Sequence, residues 1–238
     1  MMQPESFLLG SFNICSAHFR EGRYTDENLR MIADKIRASG ADVVALQEVD
    51  RGAERSARVD MPDRLSEMSG LSHHYFIKIR DFQGGEYGTA ILSRFPIREA
   101  KTLNYPVRVA TQGTSCGYVV LDVNGWHVTV FNTHLSVESE EANTDTLTCL
   151  RDILQSRLDV HPEGFACCGD FNTSPDKIAR YIPFVSPAQE GLITYSDKSS
   201  IDNILLAGEV CADDVRVFDT QYDNSTDHHM LLARISRR

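Results

Sequence analysis

The stretch Cys167-Cys168-Gly169-Asp170-Phe171-Asn172-Thr173-Ser174-Pro175 decides how this chain is read. Residues 165–168 form an apolar run and read as a buried strand that ends at Gly169. Asp170 and Asn172 stand two apart, so in extended backbone both side chains point to one side. Ser174 followed by Pro175 suits a helix start, a hydroxyl to cap the first amides and then a ring that needs no amide partner. Taken alone, Asp, Asn, Gly, Ser and Pro are ordinary turn residues. Company changes their meaning, because five further polar motifs also stand at the ends of apolar runs.

Upstream, residues 7–14 read as a strand ending in Asn13. Residues 25–39 read as a helix: Thr25 caps it, Asp26 and Glu27 suit its positive end, and Leu29, Ile32, Ala33 and Ile36 form one stripe. Gly40 stops it. The continuous apolar run at 43–46 suits a strand buried on both faces, and that strand delivers Gln47 and Glu48. A carboxylate at such a place is costly unless solvated, paired or on a metal, and metal ligation is the favoured reading of Glu48. Residues 50–60 are charged. A solvated loop is the default there, and the functional alternative is that Arg51 or Arg55 reaches over a site to hold a phosphate with its planar fork. A short helix at 61–70 precedes strands at 75–80, 87–93 and 97–103. Tyr87 either hydrogen-bonds a phosphate or anchors the core edge. The polar loop 104–116 reads as the rim of a substrate cleft.

Asn124-Gly125 joins strands at 117–123 and 126–133 in a two-residue hairpin, and the second strand ends at His134. Residues 136–145 read as a polar segment, followed by a helix to about residue 158 with Leu147, Leu150, Ile153, Leu154 and Leu158 inward. After Pro175 come a short helix, an irregular stretch and a strand at 200–207 carrying Asp202. A strand at 210–218 follows, then Asp227 and His228, which lead into the last strand at 230–235.

A chain of 238 residues with 42% hydrophobic side chains has ample material for a core. No short repeat, low-complexity segment or linker interrupts it, so residues 1–238 read as one domain. The formal charge of -10 disfavours binding of nucleic acid through a broad basic surface. It leaves room for a local basic patch. No apolar run approaches the roughly 20 residues that span a bilayer, and residues 1–5 lack the basic start and apolar core of a secretory signal. Six cysteines show no C-x-x-C pair, and adjacent Cys167 and Cys168 read as buried thiols. A cytoplasmic monomer is the expectation.

In chain order the polar strand ends are Asn13, Gln47-Glu48, Thr133-His134-Leu135, Gly169-Asp170 with Asn172, Ile201-Asp202 and Asp227-His228. This ordered set resembles the endonuclease/exonuclease/phosphatase family, the DNase I-like metal-dependent phosphoesterases, over nearly the whole chain. The resemblance implies an α/β fold, a four-layer α/β/β/α sandwich of two mostly antiparallel sheets with helices outside. It implies a Mg²⁺ or Mn²⁺ site held by Glu48 with Asn13 and Asp227. It further implies that Asp170 orients or deprotonates the attacking water, with Asn172 holding the phosphate or the carboxylate. His134 and His228 would donate to phosphoryl oxygens, and Asp202 would keep His228 charged and aimed. An alternative makes His228, backed by Asp202, the base. Thr89, Asn143 and Thr146 stand where relatives often carry Asn, Arg and Gln, which puts the phosphate-binding surroundings in question.

The leading expectation is a metal-dependent phosphoesterase acting on a nucleic acid, a lipid head group or a small phosphate. A non-catalytic binding module on the same fold is the second reading, and the intact polar set argues against it. The third is a stable fold whose polar strand ends are turn chemistry alone, which would hold no metal. Loops at 50–60, 104–116 and 183–199 are expected to set specificity.

Overall fold

A computed structural model describes residues 6–18, 22–106, 108–111, 114–188, 191–221, 223 and 225–238. The stretch at residues 1–5 and parts of the loops 104–116 and 183–199 lie outside the described residues. Among the described residues twelve strands and four α-helices follow one another: β1 (Ser6–Asn13), α1 (Asp26–Ser39), β2 (Val43–Arg51), α2 (Met61–Ser69), β3 (His73–Phe82), β4 (Gly85–Ser93), β5 (Ile97–Asn104), β6 (Ser115–Val123), β7 (Trp126–His134), α3 (Glu140–Val160), β8 (Gly164–Asp170), α4 (Pro175–Tyr181), β9 (Ser186–Pro187), β10 (Asp202–Gly208), β11 (Val210–Phe218) and β12 (Met230–Arg237).

The strands form two six-stranded sheets, ordered β11-β12-β1-β2-β4-β3 and β5-β6-β7-β8-β10-β9. Each sheet is antiparallel except for one central parallel pair, β1 with β2 and β7 with β8. A parallel pair cannot be closed by a tight turn and needs a crossover. Helix α1 provides it in the first sheet and α3 in the second. Both parallel pairs finish at the same end of the molecule, and the site is built there.

Strand alternation sorts the core into layers. Phe7, Leu9, Val43 and Ala45 meet Val128, Val130, Ala166, Cys168 and Ile204 between the sheets. Their neighbours Leu8, Val44 and Leu46 face outward under Leu29, Ile32, Ile36 and Leu65 of α1 and α2. On the far side, Phe131, Phe165, Cys167 and Leu205 lie under Leu147, Leu150, Leu154 and Ile178 of α3 and α4. The adjacent cysteines thus belong to two different layers, and all six thiols are free.

Local signals act as read at most ends. Thr25 accepts from the Asn28 amide, Ser174 accepts from the Lys177 amide, and Gly40 closes α1 at φ 70°. Helix α3 starts earlier than its apolar stripe suggests. Ser139 accepts from the Ala142 amide and Glu140 and Glu141 occupy the positive first turn, so the polar segment is already helical. Among the described residues no helix is long and apolar enough to cross a membrane.

Candidate active site

The second sheet builds its half of the site on straight strands. Parallel register sets His134 beside Asp170, and antiparallel register sets Asp202 opposite Asp170. One row, His134–Asp170–Asp202, therefore crosses three adjacent strands. Gly169 permits this spacing: a Cβ there would lie 2.5 Å from the Thr133 carbonyl oxygen. Just past Asp170, Asn172 adopts a left-handed φ of 50°. Its backbone N–H donates to Asp170 Oδ1 at 3.0 Å, and its side-chain amide donates to the Leu135 carbonyl at 3.0 Å. The Asn172 backbone thus holds the carboxylate while its side chain ties the strand ends together.

The first sheet needs a distortion. Ala45 faces the inter-sheet core and Leu46 the helices. Gln47 faces inward again and donates to Asn132 Oδ1 across the sheets at 2.8 Å, while Asn132 donates to the carbonyls of Leu46 and Ala90. Regular alternation would send Glu48 outward with Leu46. Instead the register between β2 and β4 slips between Leu46 and Val49, and Glu48 takes a left-handed φ of 56°. The bulge turns Glu48 into the cleft and returns Val49 to the helix side, the usual service of a bulge beside a site.

Two hydrogen-bonded bridges join the halves. Asn13 donates to Glu48 Oε1 at 3.1 Å and to Asp170 Oδ2 at 3.0 Å, while its own oxygen accepts from the Cys15 amide at 3.0 Å. His228, in the approach to β12, pairs its Nδ1 with Asp202 Oδ2 at 2.9 Å. His228 Nε2 stands 3.8 Å from both Asp170 Oδ2 and Asp227 Oδ1, and His134 Nε2 stands 3.7 Å from Asp170 Oδ2. Those spans are too long for hydrogen bonds.

Charge follows geometry. Burial alone would lower the His228 pKa, but the Asp202 charge and hydrogen bond, with Asp170 and Asp227 nearby, raise it to about 9. His228 is therefore an imidazolium at neutral pH. Asp170 is pushed upward, first by burial and then by the Asp202 charge, against the pull of His134, His228 and the Asn13 amide.

A cleft of about 620 Å³ opens over this set. Glu48, Tyr87, His134, Asp170, Asn172, Asp227 and His228 line it, with Asn13 and Asp202 buried behind. The two arginines singled out in the sequence have other partners. Arg51 bonds Glu86 and lies 4.3 Å over the Phe76 ring. Arg55 grips the fully buried Asp50 with two bonds, of 2.7 and 2.8 Å, and donates to Ser16. A buried carboxylate requires a partner, and Arg55 is it. The guanidinium that does line the cleft belongs to Arg80, stacked near Phe82 and Tyr87. Asn143 and Thr146 hold the loops after β7 and β8: Asn143 donates to the carbonyls of Ser136 and Phe171, and Thr146 accepts from the Ser136 amide. Sequence reasoning also passed over Cys15 and Tyr195. The Tyr195 ring lies 4.7 Å from that of His228, and burial followed by the Asp227 charge raises its phenol to about 12. Only its place in the 183–199 rim loop hinted at it.

Ligand atoms of Asp170, Asp202 and His228 lie within 4.8 Å of one another. An imidazolium whose Nδ1 is bonded to Asp202 has no lone pair to offer a cation, so this trio is a charge-paired network. Glu48 and Asp227 present carboxylate oxygens to the cleft, the donor type that suits Mg²⁺ or Mn²⁺.

The fold and this clustering define a phosphoester-hydrolase sandwich. The sequence profile of the Endonuclease/Exonuclease/phosphatase family matches residues 9–228, and the chain belongs to that family of phosphoester hydrolases, which generally depend on a divalent metal. Among solved structures, an endonuclease/exonuclease/phosphatase from Beutenbergia cavernae superimposes with a TM-score of 0.79 at 20% identity, over 99% of this chain and 72% of that one. Truncated TDP2 from Caenorhabditis elegans gives 0.75 at 17% identity over 97% of each chain. The mannosyl-6-phosphatase of Bacteroides thetaiotaomicron gives 0.72 at 13% identity over 96% of this chain and 99% of that one. No curated protein matches the sequence.

Proposed function

We propose that the protein hydrolyses a phosphoester with a divalent cation, Mg²⁺ or Mn²⁺, held by Glu48 and Asp227 and kept in register by Asn13. The observation that carries this reading is the meeting of charge in the cleft: the open carboxylates of Glu48 and Asp227 on the first-sheet side face the raised Asp170 carboxyl and His134 of the second sheet, with the His228 imidazolium bridging the two. When bound, the cation would polarise a phosphoryl oxygen and offset developing negative charge.

The remaining work falls to side chains of this protein. Asp170 accepts the proton of the attacking water. Its upward-shifted pKa supports that role, because a stronger base takes a proton more readily. The charge on His228 counts against its being the base and favours it as a donor. Asp202 holds that imidazolium in place, and the Nε2 groups of His228 and His134 are left to donate to phosphoryl oxygens as charge grows. Asn172 fixes Asp170 through its backbone amide. Arg80 and Tyr87 line the cleft where a substrate anion would lie.

Glu138 and Asp197 add two more carboxylates to the lining. A wall so acidic favours a compact phosphoester, or the end of a nucleic acid strand, over a long duplex. The mannosyl-6-phosphatase neighbour adds a sugar phosphate to the substrates worth trying. The direct test is hydrolysis of bis-p-nitrophenyl phosphate beside p-nitrophenyl phosphate, with Mg²⁺, Mn²⁺ or EDTA. Turnover is expected with cation only, and turnover undiminished by EDTA would overturn the cation.

A further inference from the structure

Residues 15–17 carry a peculiarity that the reaction as described leaves unused. Cys15, Ser16 and Ala17 adopt left-handed φ values of 47°, 48° and 59° in succession, and none is glycine. Each such residue costs roughly 1–2 kcal/mol, so three in a row persist only where surrounding contacts over-determine them. The contacts are present. Ala17 donates its amide to the Ile14 carbonyl at 2.8 Å, Ser16 donates its hydroxyl to the Glu48 carbonyl at 3.0 Å, and Arg55 holds that hydroxyl at 2.8 Å. Asn28 donates to the Ala17 carbonyl at 3.1 Å.

The product of this bolted turn is the position of one thiol. Cys15 Sγ stands 3.0 Å from Asp227 Oδ1 and donates to it, and its backbone N–H donates to the oxygen of Asn13. On the other side, the Tyr195 phenol lies near enough to feel the charge of the same Asp227 carboxylate, and the Asp227 carbonyl accepts from the Ser196 amide at 3.1 Å. Asp227 is buried, yet both side chains that orient it are neutral. The Cys15 thiol donates a hydrogen bond to that carboxylate and brings no charge of its own. A lysine or arginine in that place would neutralise the carboxylate and compete with a cation. The thiol aims it at hydrogen-bond distance, while the nearest cation, His228, stands 3.8 Å off, too far to bond it.

We infer that Cys15 is a positioning residue that, with Tyr195, aims the Asp227 carboxylate for cation binding, and that the strained turn at 15–17 exists to present its thiol. This rests on the cation reading proposed above and deepens it for this chain. Outer partners that orient a metal-binding side chain are typically worth roughly 10- to 100-fold in metal affinity.

The test is Mn²⁺ binding by calorimetry on the whole protein, with no substrate present. Cys15→Ala should weaken Mn²⁺ binding roughly 10-fold or more, whereas Cys15→Ser, which keeps a donor, should stay within about threefold of wild type. Tyr195→Phe should weaken it as well. Circular dichroism and thermal melting in EDTA report whether Cys15→Ala is folded, and Cys15→Ser with Tyr195→Phe carries the test if it is not. Wild-type affinity in Cys15→Ala, or in the Ser/Phe pair, would overturn the inference while leaving the cation site standing. No Mn²⁺ binding by the wild type would remove the cation reading and this inference together.

Discussion

The two central parallel pairs reach the same cleft by different means. Strands β7 and β8 run straight to their ends and set His134 and Asp170 side by side in register. Strands β1 and β2 do not: β2 bulges at Glu48, and β1 empties into the left-handed turn at residues 15–17. On the proposed mechanism, the regular half carries the base Asp170 and the donor His134, and the bent half carries Glu48, the carboxylate proposed to face a cation. A regular strand can fix a base and a donor at neighbouring positions, because register alone sets their spacing. Converging carboxylates from different strands and a loop requires backbone that departs from register, and the departure stores strain.

Breaking the regular half should have the largest effect. Asp170→Asn keeps the shape and removes the proposed base, and kcat is expected to fall roughly 10²–10⁴-fold with an unchanged circular dichroism spectrum. Activity within threefold of wild type would move the base elsewhere. Next in size is Gly169→Ala, which drives a methyl against the Thr133 carbonyl. Forced strand separation should cost about 1–3 kcal/mol in urea unfolding, and a neutral result would mean that β7 and β8 yield easily.

The link between the halves comes third. Asn132→Leu strips Gln47 of its cross-sheet acceptor and leaves two carbonyls without their donor. A loss of about 1–3 kcal/mol is expected, near the upper end because every partner is buried. The smallest change in stability should come from the bent half. Glu48→Gly removes a left-handed strain of roughly 1–2 kcal/mol and adds up to about 1 kcal/mol of chain entropy. In metal-free buffer its melting temperature should match or slightly exceed that of wild type. A clear drop in melting temperature would show that Glu48 holds the fold together and would blunt the contrast between the halves.

Much of this was legible in the chain itself. The Leu29-Ile32-Ala33-Ile36 stripe with its Thr25 and Gly40 ends marked α1, and Asn124-Gly125 marked a hairpin, with φ of 54° and 98° in the structure. Eight polar residues, Asn13, Glu48, His134, Asp170, Asn172, Asp202, Asp227 and His228, could be picked out because their order along the chain resembles that of the endonuclease/exonuclease/phosphatase family, each being ordinary turn chemistry when taken alone. Arg51 and Arg55 were less legible. An arginine near a site reads the same whether it faces the cleft or a buried acid, and only the fold reveals Asp50 and Glu86 as their partners. The start of α3 was hidden by acidic residues that carry no apolar period but suit a helix's positive end.

Periodicity, caps and turn dipeptides act over a few residues, so the sequence by itself determined the elements, their order and the residue types available at their ends. The aim of those side chains was decided by tertiary structure. Glu48 faces the cleft because β2 slips against β4, Gln47 faces Asn132 because two sheets meet there, and Cys15 meets Asp227 across more than two hundred residues of chain. Register slips and contacts between distant strands depend on how whole sheets fit together, and no local run of residues encodes that.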